Sequence, residues 1–349
     1  MFTDSWLARK GNAPVFQREQ LREWVVVLVI AVTVTYSVMY TSLQYYNSDN
    51  YAGNSDSIVY LALARGENIG TRRSKGARVL TILLVRMLPD PPSAIFNVRR
   101  DVTDEWILKV KFALVNSIFL VGTAWLIWVY LRRLSFSVSA AHLGMLLFLT
   151  SLSVVYASTI PMVEASSYFF LALCAVAIAY RNRPLFAVAF LVGLFAKESV
   201  AFILPLALLA VSERRLSWIG AALPGLVVYL GWRAWTVQSG SGDLGHLEPE
   251  HLKSALTGIP NYLRFSIFMD LFASFGLLWI PTFYALHSGR LTRELQRQYL
   301  WIAMLFLVAL LVGTGFGRTV FLAFPVVIPG ALIGIREFWT RTRAQTEMA

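Results

Sequence analysis

Charged residues are scarce in this chain. Lys, Arg, Asp and Glu make up 15% of its 349 residues, whereas hydrophobic residues make up 57%, and the mean hydropathy is +0.59. An ordinary soluble domain contains about 25% charged residues. The composition argues against a water-soluble globule and against a disordered chain, and it indicates a polytopic membrane protein.

Cysteine is almost absent as well, and several familiar motifs are missing. Because Cys174 is the single cysteine, no intrachain disulfide can form. The sequence has no P-loop, dinucleotide-binding fingerprint, Cys/His cluster or nucleophile elbow. These absences argue against ATP-driven chemistry. His246 and His251 flank Pro249 in a spacing that matches no zinc signature, so we expect no cofactor, with a divalent metal left open.

What the sequence does contain is a series of long apolar runs. Only helices and closed barrels satisfy the backbone in lipid, and these runs are too long for barrel strands. The sequence therefore predicts an all-α, polytopic transmembrane helical bundle. The runs are Trp24–Leu43, Trp106–Leu131, Val138–Ala157, Ala165–Tyr180, Pro184–Val211, Trp218–Val237, Tyr262–His287, Tyr299–Phe316 and Thr319–Ile335.

The run Pro184–Val211 decides the number of passes, because Lys197-Glu198-Ser199 interrupts it. If the run crosses once, the arginine clusters that follow it lie outside, against the positive-inside rule. If it forms two short broken passes, every one of those clusters is cytoplasmic. We therefore predict about ten passes, including this one short broken pair, with both termini cytoplasmic.

The expected organisation is a single membrane domain with short flanking segments. Residues 1–23 form a cytoplasmic segment that does not read as a cleavable signal peptide. The transmembrane domain covers residues 24–335, with external loops at 44–105 and 238–261. Residues 336–349 form a cytoplasmic tail.

Charged side chains gather at the external edge of these passes. Charges at membrane depth are costly, so they are candidates for function. The set is Asp56, Arg72, Arg73, Lys75, Arg78, Glu164, Lys197, Glu198 and Arg318, with Asp270 somewhat deeper. Their location on one side predicts an active site at the extracytoplasmic face.

Most of these residues also have a purely structural interpretation. Asp56 either caps a helix or takes a proton from an incoming hydroxyl, and Tyr60 lies four residues later on the same helical face. The basic run from Arg72 to Arg78 either contacts anionic headgroups or clamps a phosphate. Both interpretations stay open at this point.

The later candidates are open in the same way. Glu164 could merely cap the helix that follows it, and the charges of Lys197 and Glu198 could cancel locally. Gly313 and Gly317 precede Arg318 with the spacing of close helix packing. Alternatively, they let the backbone approach a ligand whose phosphate Arg318 would reach.

Four short segments together resemble a known family. Their shared order resembles that of bacterial integral-membrane glycosyltransferases of the GT-C superfamily, over roughly residues 54 to 330. Glu164 and Ser199 stand where that family's pattern has aspartate and threonine. The segments are Ser55–Gly66, similar to the first-loop motif; Ala77–Leu80, similar to the arginine-leucine segment; Gly193–Ser199 followed by Leu204-Pro205, similar to Gly-Leu-x-x-Lys-Glu-Thr; and Phe316-Gly317-Arg318, similar to the closing arginine segment.

The resemblance implies a transferase in the bacterial inner membrane. It would move a sugar from a polyprenyl-phosphate donor to an acceptor glycan, lipid or cell-envelope polymer, with membrane lipids but no nucleic acid as partners. Asp56 would be the general base, with Glu164 as a second catalytic carboxylate. Arg78, Lys197 and Arg318 would hold the lipid phosphate. The remaining expected substrate-binding residues are Tyr60, Arg72, Arg73, Lys75 and Glu198.

Two other functions remain in view. A transporter or flippase of a lipid-linked anion would suit the broken pair 184–211, although the cytoplasmic half of the passes is almost free of charge. A non-catalytic membrane subunit would have scattered charges rather than convergent ones.

Overall fold

The computed structural model describes only part of the chain. Its described residues are 18–45, 55–67, 78–91, 104–211, 215–238, 265–289, 291, 293–312 and 316–348. Within these ranges the regular structure is entirely helical, which confirms the predicted all-α class. Arg72, Arg73, Lys75, His246, Pro249, His251 and Gly313 lie outside the described residues, so the predictions for them stay predictions.

Fifteen α-helices and two short 3-10 segments make up the described part of the chain. The 3-10 segments are Glu198–Phe202 and Gly276–Leu278. The helices are α1 Arg18–Tyr45, α2 Ser55–Arg65, α3 Val79–Met87, α4 Asp104–Arg133, α5 Val138–Leu149, α6 Leu152–Thr159, α7 Glu164–Ala179, α8 Arg183–Ala196, α9 Ile203–Ala210, α10 Leu216–Gln238, α11 Phe265–Phe275, α12 Trp279–His287, α13 Arg293–Val312, α14 Phe316–Phe321 and α15 Phe324–Met348.

Three stretches are long and apolar enough to cross a membrane by themselves. They are Leu21–Thr41, Asp104–Arg133 and Phe268–His287. A fourth arises if α5 and α6 count as one span, although they meet at a bend of 60°. The run Val138–Ala157 is therefore not the single straight helix that its apolar sequence predicts. Helices α7 and α8, with 16 and 14 residues, are shorter than the roughly 20 that a full crossing needs.

Helices α8 and α10 run in the same direction. Near their starts the rings of Phe186 and Trp218 are 5.1 Å apart, and further along both helices those of Phe195 and Tyr229 are 5.9 Å apart. The chain must therefore return along the bundle between Ala196 and Leu216, through the 3-10 segment and α9. This reversal agrees with the expectation that the run 184–211 is broken into two.

The other long helices can be oriented from their contacts in the same way. Helices α4 and α7 are parallel, because Phe119 contacts Phe169 at 5.7 Å and Arg133 Nε donates to the Ala179 carbonyl at 3.2 Å. Helix α1 is antiparallel to α4, since the rings of Trp24 and Trp125 are 5.0 Å apart and Ser117 Oγ lies 3.1 Å from Met39 Sδ.

Helix α15 is antiparallel to α5. The rings of Phe148 and Phe324 are 5.1 Å apart, and a Cβ built on Gly144 would lie 3.1 Å from Ile328 Cγ2. One end of the bundle thus gathers the start of α1, the end of α15 and a set of arginines. We call it the basic end, defined by Arg132, Arg133, Arg181 and Arg183.

Two glycines let α15 pack closely against α12. A Cβ on Gly334 would lie 2.6 Å from the Pro281 carbonyl carbon, and one on Gly330 would lie 3.3 Å from Thr282 Cγ2. The Thr282 hydroxyl also donates to the Val327 carbonyl at 3.1 Å. This is the close backbone approach that small residues four apart permit between membrane helices.

We expect Gly334→Ala to destabilise the protein, because its methyl group would overlap the Pro281 backbone. Overpacking of this kind costs about 1–3 kcal/mol. The measurement is the midpoint of thermal unfolding followed by tryptophan fluorescence in detergent.

The matched control for that substitution is Gly231→Ala in α10, where an added Cβ would meet nothing within 4 Å. Alanine is preferred over glycine in helices by roughly 0.5–1 kcal/mol, so this variant should be neutral or slightly stabilised. Equal midpoints for the two variants would contradict the close packing of α15 on α12.

Candidate functional site

A cluster of ion pairs lies at the end of the bundle opposite the basic end. Its first group joins α3 to the 3-10 segment. Arg78 Nε donates to Glu198 Oε2 at 2.8 Å, and Arg78 Nη2 donates to Glu198 Oε1. Arg78 Nη1 donates to the Tyr60 hydroxyl. The guanidinium therefore holds the carboxylate in the bidentate geometry that also suits a phosphate.

The second group is built on Glu164, whose side chain is 3% exposed. Its Oε1 accepts hydrogen bonds from Lys197 Nζ at 2.9 Å and from Arg318 Nη1 at 3.2 Å. Its Oε2 is buried and has no hydrogen-bond partner among the described residues. Both cations thus converge on one carboxylate oxygen and leave the other oxygen without a partner.

The break after α8 explains why consecutive residues serve different groups. Lys197 has extended backbone angles, φ −165° and ψ 136°. Successive side chains of an extended backbone point to opposite sides, so Lys197 reaches Glu164 while Glu198 reaches Arg78. The interpretation that Lys197 and Glu198 merely neutralise each other is wrong, because each pairs with a distant residue.

Close packing of α8 on α7 brings Lys197 to Glu164. A Cβ on Gly193 would lie 2.8 Å from both Phe170 Cβ and Val200 Cγ1, so only glycine fits there without displacement. Gly193 stands four residues before Lys197, whose amide donates to the Gly193 carbonyl at 2.9 Å. The glycine therefore sets the depth at which the lysine enters the cluster.

Helices α2 and α3 form one unit that presents Tyr60 and Arg78. Gly66, with φ 84°, directly follows α2, and the amides of Gly66 and Glu67 donate to the carbonyls of Leu63 and Ala62 in a Schellman motif. Arg86 of α3 donates to the carbonyls of Leu63 and Ala64. A cation at a helix C-terminus is stabilising, and here it joins the two helices.

This unit is tied to α7 beside Glu164. The hydroxyls of Thr81 and Ser166 are 2.8 Å apart, and Ser166 Oγ in turn donates to the Val163 carbonyl at 2.8 Å. Both side chains are fully buried. This link fixes the start of α3, and hence Arg78, relative to Glu164.

The expected catalytic base, Asp56, lies in the first turn of α2 rather than before the helix. A carboxylate there interacts favourably with the helix N-terminus, so part of the structural interpretation holds. Its charge also acts on the cluster. Burial opposes the charged form of Arg318, but Glu164, Tyr156 and Asp56 favour it, so that the pKa of Arg318 rises above its ordinary value.

Glu164 does not cap its helix through its side chain. It is the first residue of α7, directly before the apolar stretch, and no cap hydrogen bond forms there. Burial would raise the pKa of this carboxyl, but Lys197 and Arg318 outweigh that effect and hold the pKa below its ordinary value. Glu164 is therefore a carboxylate at neutral pH.

Gly317 serves close packing rather than a ligand. A Cβ on it would lie 2.6 Å from the Asp270 carbonyl oxygen of α11, too close for any side chain without displacement. The glycines before Arg318 are expected either to allow close helix packing or to let the backbone approach a ligand. At Gly317 the structure shows close packing.

Sequence reasoning missed two residues on α10 that lie beside the cluster. Tyr229 is within electrostatic reach of both Glu198 and Arg233. Arg233 is a charge inside the apolar run Trp218–Val237, so the rule that flagged Lys197 would also have flagged it.

The described residues contain no group of three His, Cys, Asp or Glu side chains that could hold a metal.

Comparison of the chain with protein-family models, with curated proteins and with solved structures finds no match. The case for a function therefore depends on the geometry of the site.

The cluster combines anion-binding capacity with two carboxylates. Arg78, Lys197 and Arg318 outnumber Glu164 and Glu198 by one charge. Arginine has five N–H donors and lysine has three, so each cation keeps donors beyond its described contacts. An anion with several oxygens, such as a phosphate, matches these remaining donors.

We expect Arg78 and Glu198 to be energetically coupled. The test is a double-mutant cycle with Arg78→Met and Glu198→Gln, read as the free energy of unfolding in mixed micelles. Groups in one ion-pair network typically couple by about 0.5–3 kcal/mol.

The control cycle uses Arg343 and Glu347 on α15, which are 4.0 Å apart with side chains 85% and 73% exposed. Exposed pairs contribute little, so we expect no measurable coupling there. Equal coupling in the two cycles would contradict the bidentate pair.

The lowered pKa of Glu164 also predicts a pH dependence of stability. A carboxyl with a lower pKa in the folded state contributes stability above its unfolded pKa, 4.5, and loses it as the pH falls further. The difference in unfolding midpoint between the wild type and Glu164→Gln should therefore shrink below that pH.

The comparison variant for the pH series is Glu347→Gln, because Glu347 is largely exposed. Its difference from the wild type should stay small throughout. A Glu164→Gln difference that does not change with pH would refute the assignment of Glu164 as a buried carboxylate.

Proposed function

We propose that this protein is an integral membrane glycosyltransferase that moves a sugar from a polyprenyl-phosphate donor to an acceptor. The observation that carries the proposal is the convergence of Arg78, Lys197 and Arg318 with Glu164 and Glu198 at one end of an apolar helical bundle. A lipid-anchored phosphate would reach such a site from the bilayer, which would explain why charged groups gather beside apolar helices.

The cations would act on the leaving group. When the bond between the anomeric carbon and the phosphate oxygen breaks, negative charge grows on the phosphate. Arg78, Lys197 and Arg318 would hold that phosphate with the N–H donors that their carboxylate partners leave free. Glu164 and Glu198 would keep the three side chains in place before the donor arrives.

Asp56 would act on the nucleophile. A carboxylate within hydrogen-bond reach of the acceptor hydroxyl can take its proton while the phosphate leaves. The electrostatic effect of Asp56 on Arg318 supports a position beside the same cluster. The acceptor oxygen would then form the new bond to the anomeric carbon while Asp56 receives its proton.

The direction of the helices supports an extracytoplasmic site. With the basic end on the cytoplasmic side, as the positive-inside rule requires, the cluster would lie at the opposite face. In this arrangement the chain would make about ten passes, including the short pair α8 and α9, in the bacterial inner membrane. Both termini would be cytoplasmic.

The decisive experiment is a transfer assay with the full chain in proteoliposomes. Polyprenyl-phosphate glucose, mannose, galactose and arabinose are supplied with membrane extract as the acceptor source, and release of polyprenyl phosphate is measured. We expect turnover with at least one donor. Asp56→Asn should lower it about 100-fold or more, because a general base contributes roughly that much.

The matched control is Asp90→Asn, which removes an exposed carboxylate that pairs with Lys111 outside the cluster. It should retain the wild-type rate. Wild-type turnover in Asp56→Asn would refute the base assignment, and no turnover with any donor would count against the transferase.

A transporter of a lipid-linked anion is the second candidate. The bend between α5 and α6 and the break after α8 favour it, because broken helices often line transport cavities. Movement of a labelled lipid phosphate across proteoliposomes without chemical change would favour transport over transfer.

A further inference from the structure

The free oxygen of Glu164 is the least satisfied polar atom in the cluster. The side chain of Glu164 is only 3% exposed and carries a negative charge. Its Oε2 nevertheless has no hydrogen-bond partner among the described residues. A buried carboxylate oxygen without a donor is costly, because its lost hydration is not replaced. A group from outside the described chain that donates to this oxygen would offset that cost.

The chemistry around Oε2 restricts that group. A phosphate is excluded because it is an anion, like the carboxylate. A metal cation is disfavoured because Lys197 and Arg318 are both bound to the neighbouring Oε1. An ammonium group would be repelled by Lys197 and Arg318, whose charged nitrogens already lie at the same carboxylate. A neutral hydroxyl fits, since it donates a hydrogen bond without adding charge.

Two further unpartnered hydroxyls belong to the sequence neighbours of Asp56 and Glu198. Ser57 Oγ and Ser199 Oγ are buried and have no partner among the described residues. Ser57 follows Asp56, and Ser199 follows Glu198. Buried polar groups are normally paired, and these two hydroxyls have no partner that the described residues supply.

We propose that Glu164 Oε2 accepts a hydrogen bond from a hydroxyl of the sugar that the lipid phosphate carries. The proposal rests on the transferase function above and deepens it. Arg78, Lys197 and Arg318 serve the phosphate, and Glu164 serves the sugar through the oxygen that the cations leave free. Glu164 is then a specificity-determining residue for the donor.

The test compares two ligands that differ only in the sugar. Native mass spectrometry of the full chain in nanodiscs gives dissociation constants for undecaprenyl phosphate and for its glucose, mannose, galactose and arabinose derivatives. The measured quantity is the sugar increment, defined as the affinity ratio between the tightest sugar-bearing lipid and the bare phosphate lipid. We expect an increment above one for the wild type.

Glu164→Gln should reduce the sugar increment by about tenfold or more, because a hydrogen bond to a charged group in a dry site has that value. Affinity for bare undecaprenyl phosphate should change much less, because Lys197 and Arg318 keep their charges although they lose a fully charged partner. A purely structural role for Glu164 would weaken both ligands equally, and that result would overturn the proposal.

The matched control is Glu198→Gln, because both oxygens of Glu198 are occupied by Arg78. This variant should change the affinity for both ligands by the same factor and leave the increment intact. If Glu164→Gln does not fold, Glu164→Asp keeps the charge but withdraws the oxygen, and it should lose part of the increment. An unchanged increment in the folded variant would overturn the proposal.

The outcome also separates this proposal from the function on which it rests. A wild type that binds every sugar-bearing lipid no better than the bare phosphate lipid overturns the role of Glu164, while phosphate binding stands. A wild type that binds none of the five lipids overturns both. Transfer activity with an unchanged increment in Glu164→Gln overturns only the role of Glu164.

Discussion

The burial of one carboxylate is the constraint on which the described site depends. Glu164 starts α7, Lys197 follows α8 and Arg318 belongs to α14, yet all three side chains meet at a single oxygen. Removing a carboxylate from water costs several kcal/mol, and only well-placed cations and hydrogen bonds offset that cost. The positions of three separate segments are therefore fixed together. The glycine at 193 and the hydroxyl pair of Thr81 and Ser166 serve the same end, because they bring α8 and α3 close enough to α7.

The break in the run 184–211 could be predicted, because a charged pair inside an apolar stretch is too costly to leave without a role. The parallel course of α8 and α10 agrees with that prediction. The bend between α5 and α6 differs from the sequence prediction, since the run Val138–Ala157 is apolar almost throughout. Its only signal is Thr150-Ser151, whose hydroxyls bond back to the carbonyls of Leu146 and Phe148. Hydroxyl side chains compete with the helix backbone in this way.

The members of the site were predictable from the sequence, but their pairing was not. The cost of a charge at membrane depth identifies Arg78, Glu164 and Arg318 one at a time. Which carboxylate meets which cation depends on helix packing, and Arg318 and Glu164 are 154 residues apart in the chain. The same cost applies to Arg233 inside the apolar run Trp218–Val237, although it is not among the site residues that the sequence analysis predicts. The family resemblance and the roles of Arg72, Arg73 and Lys75 stay predictions.

The extended backbone at Lys197 has a mechanical consequence. One peptide bond joins Lys197 to Glu198, and their side chains hold two different ion-pair groups on opposite sides of it. A shift of that single peptide would therefore displace the partners of Glu164 and of Arg78 together. The two ion-pair groups are thus joined by a single peptide just after the end of α8.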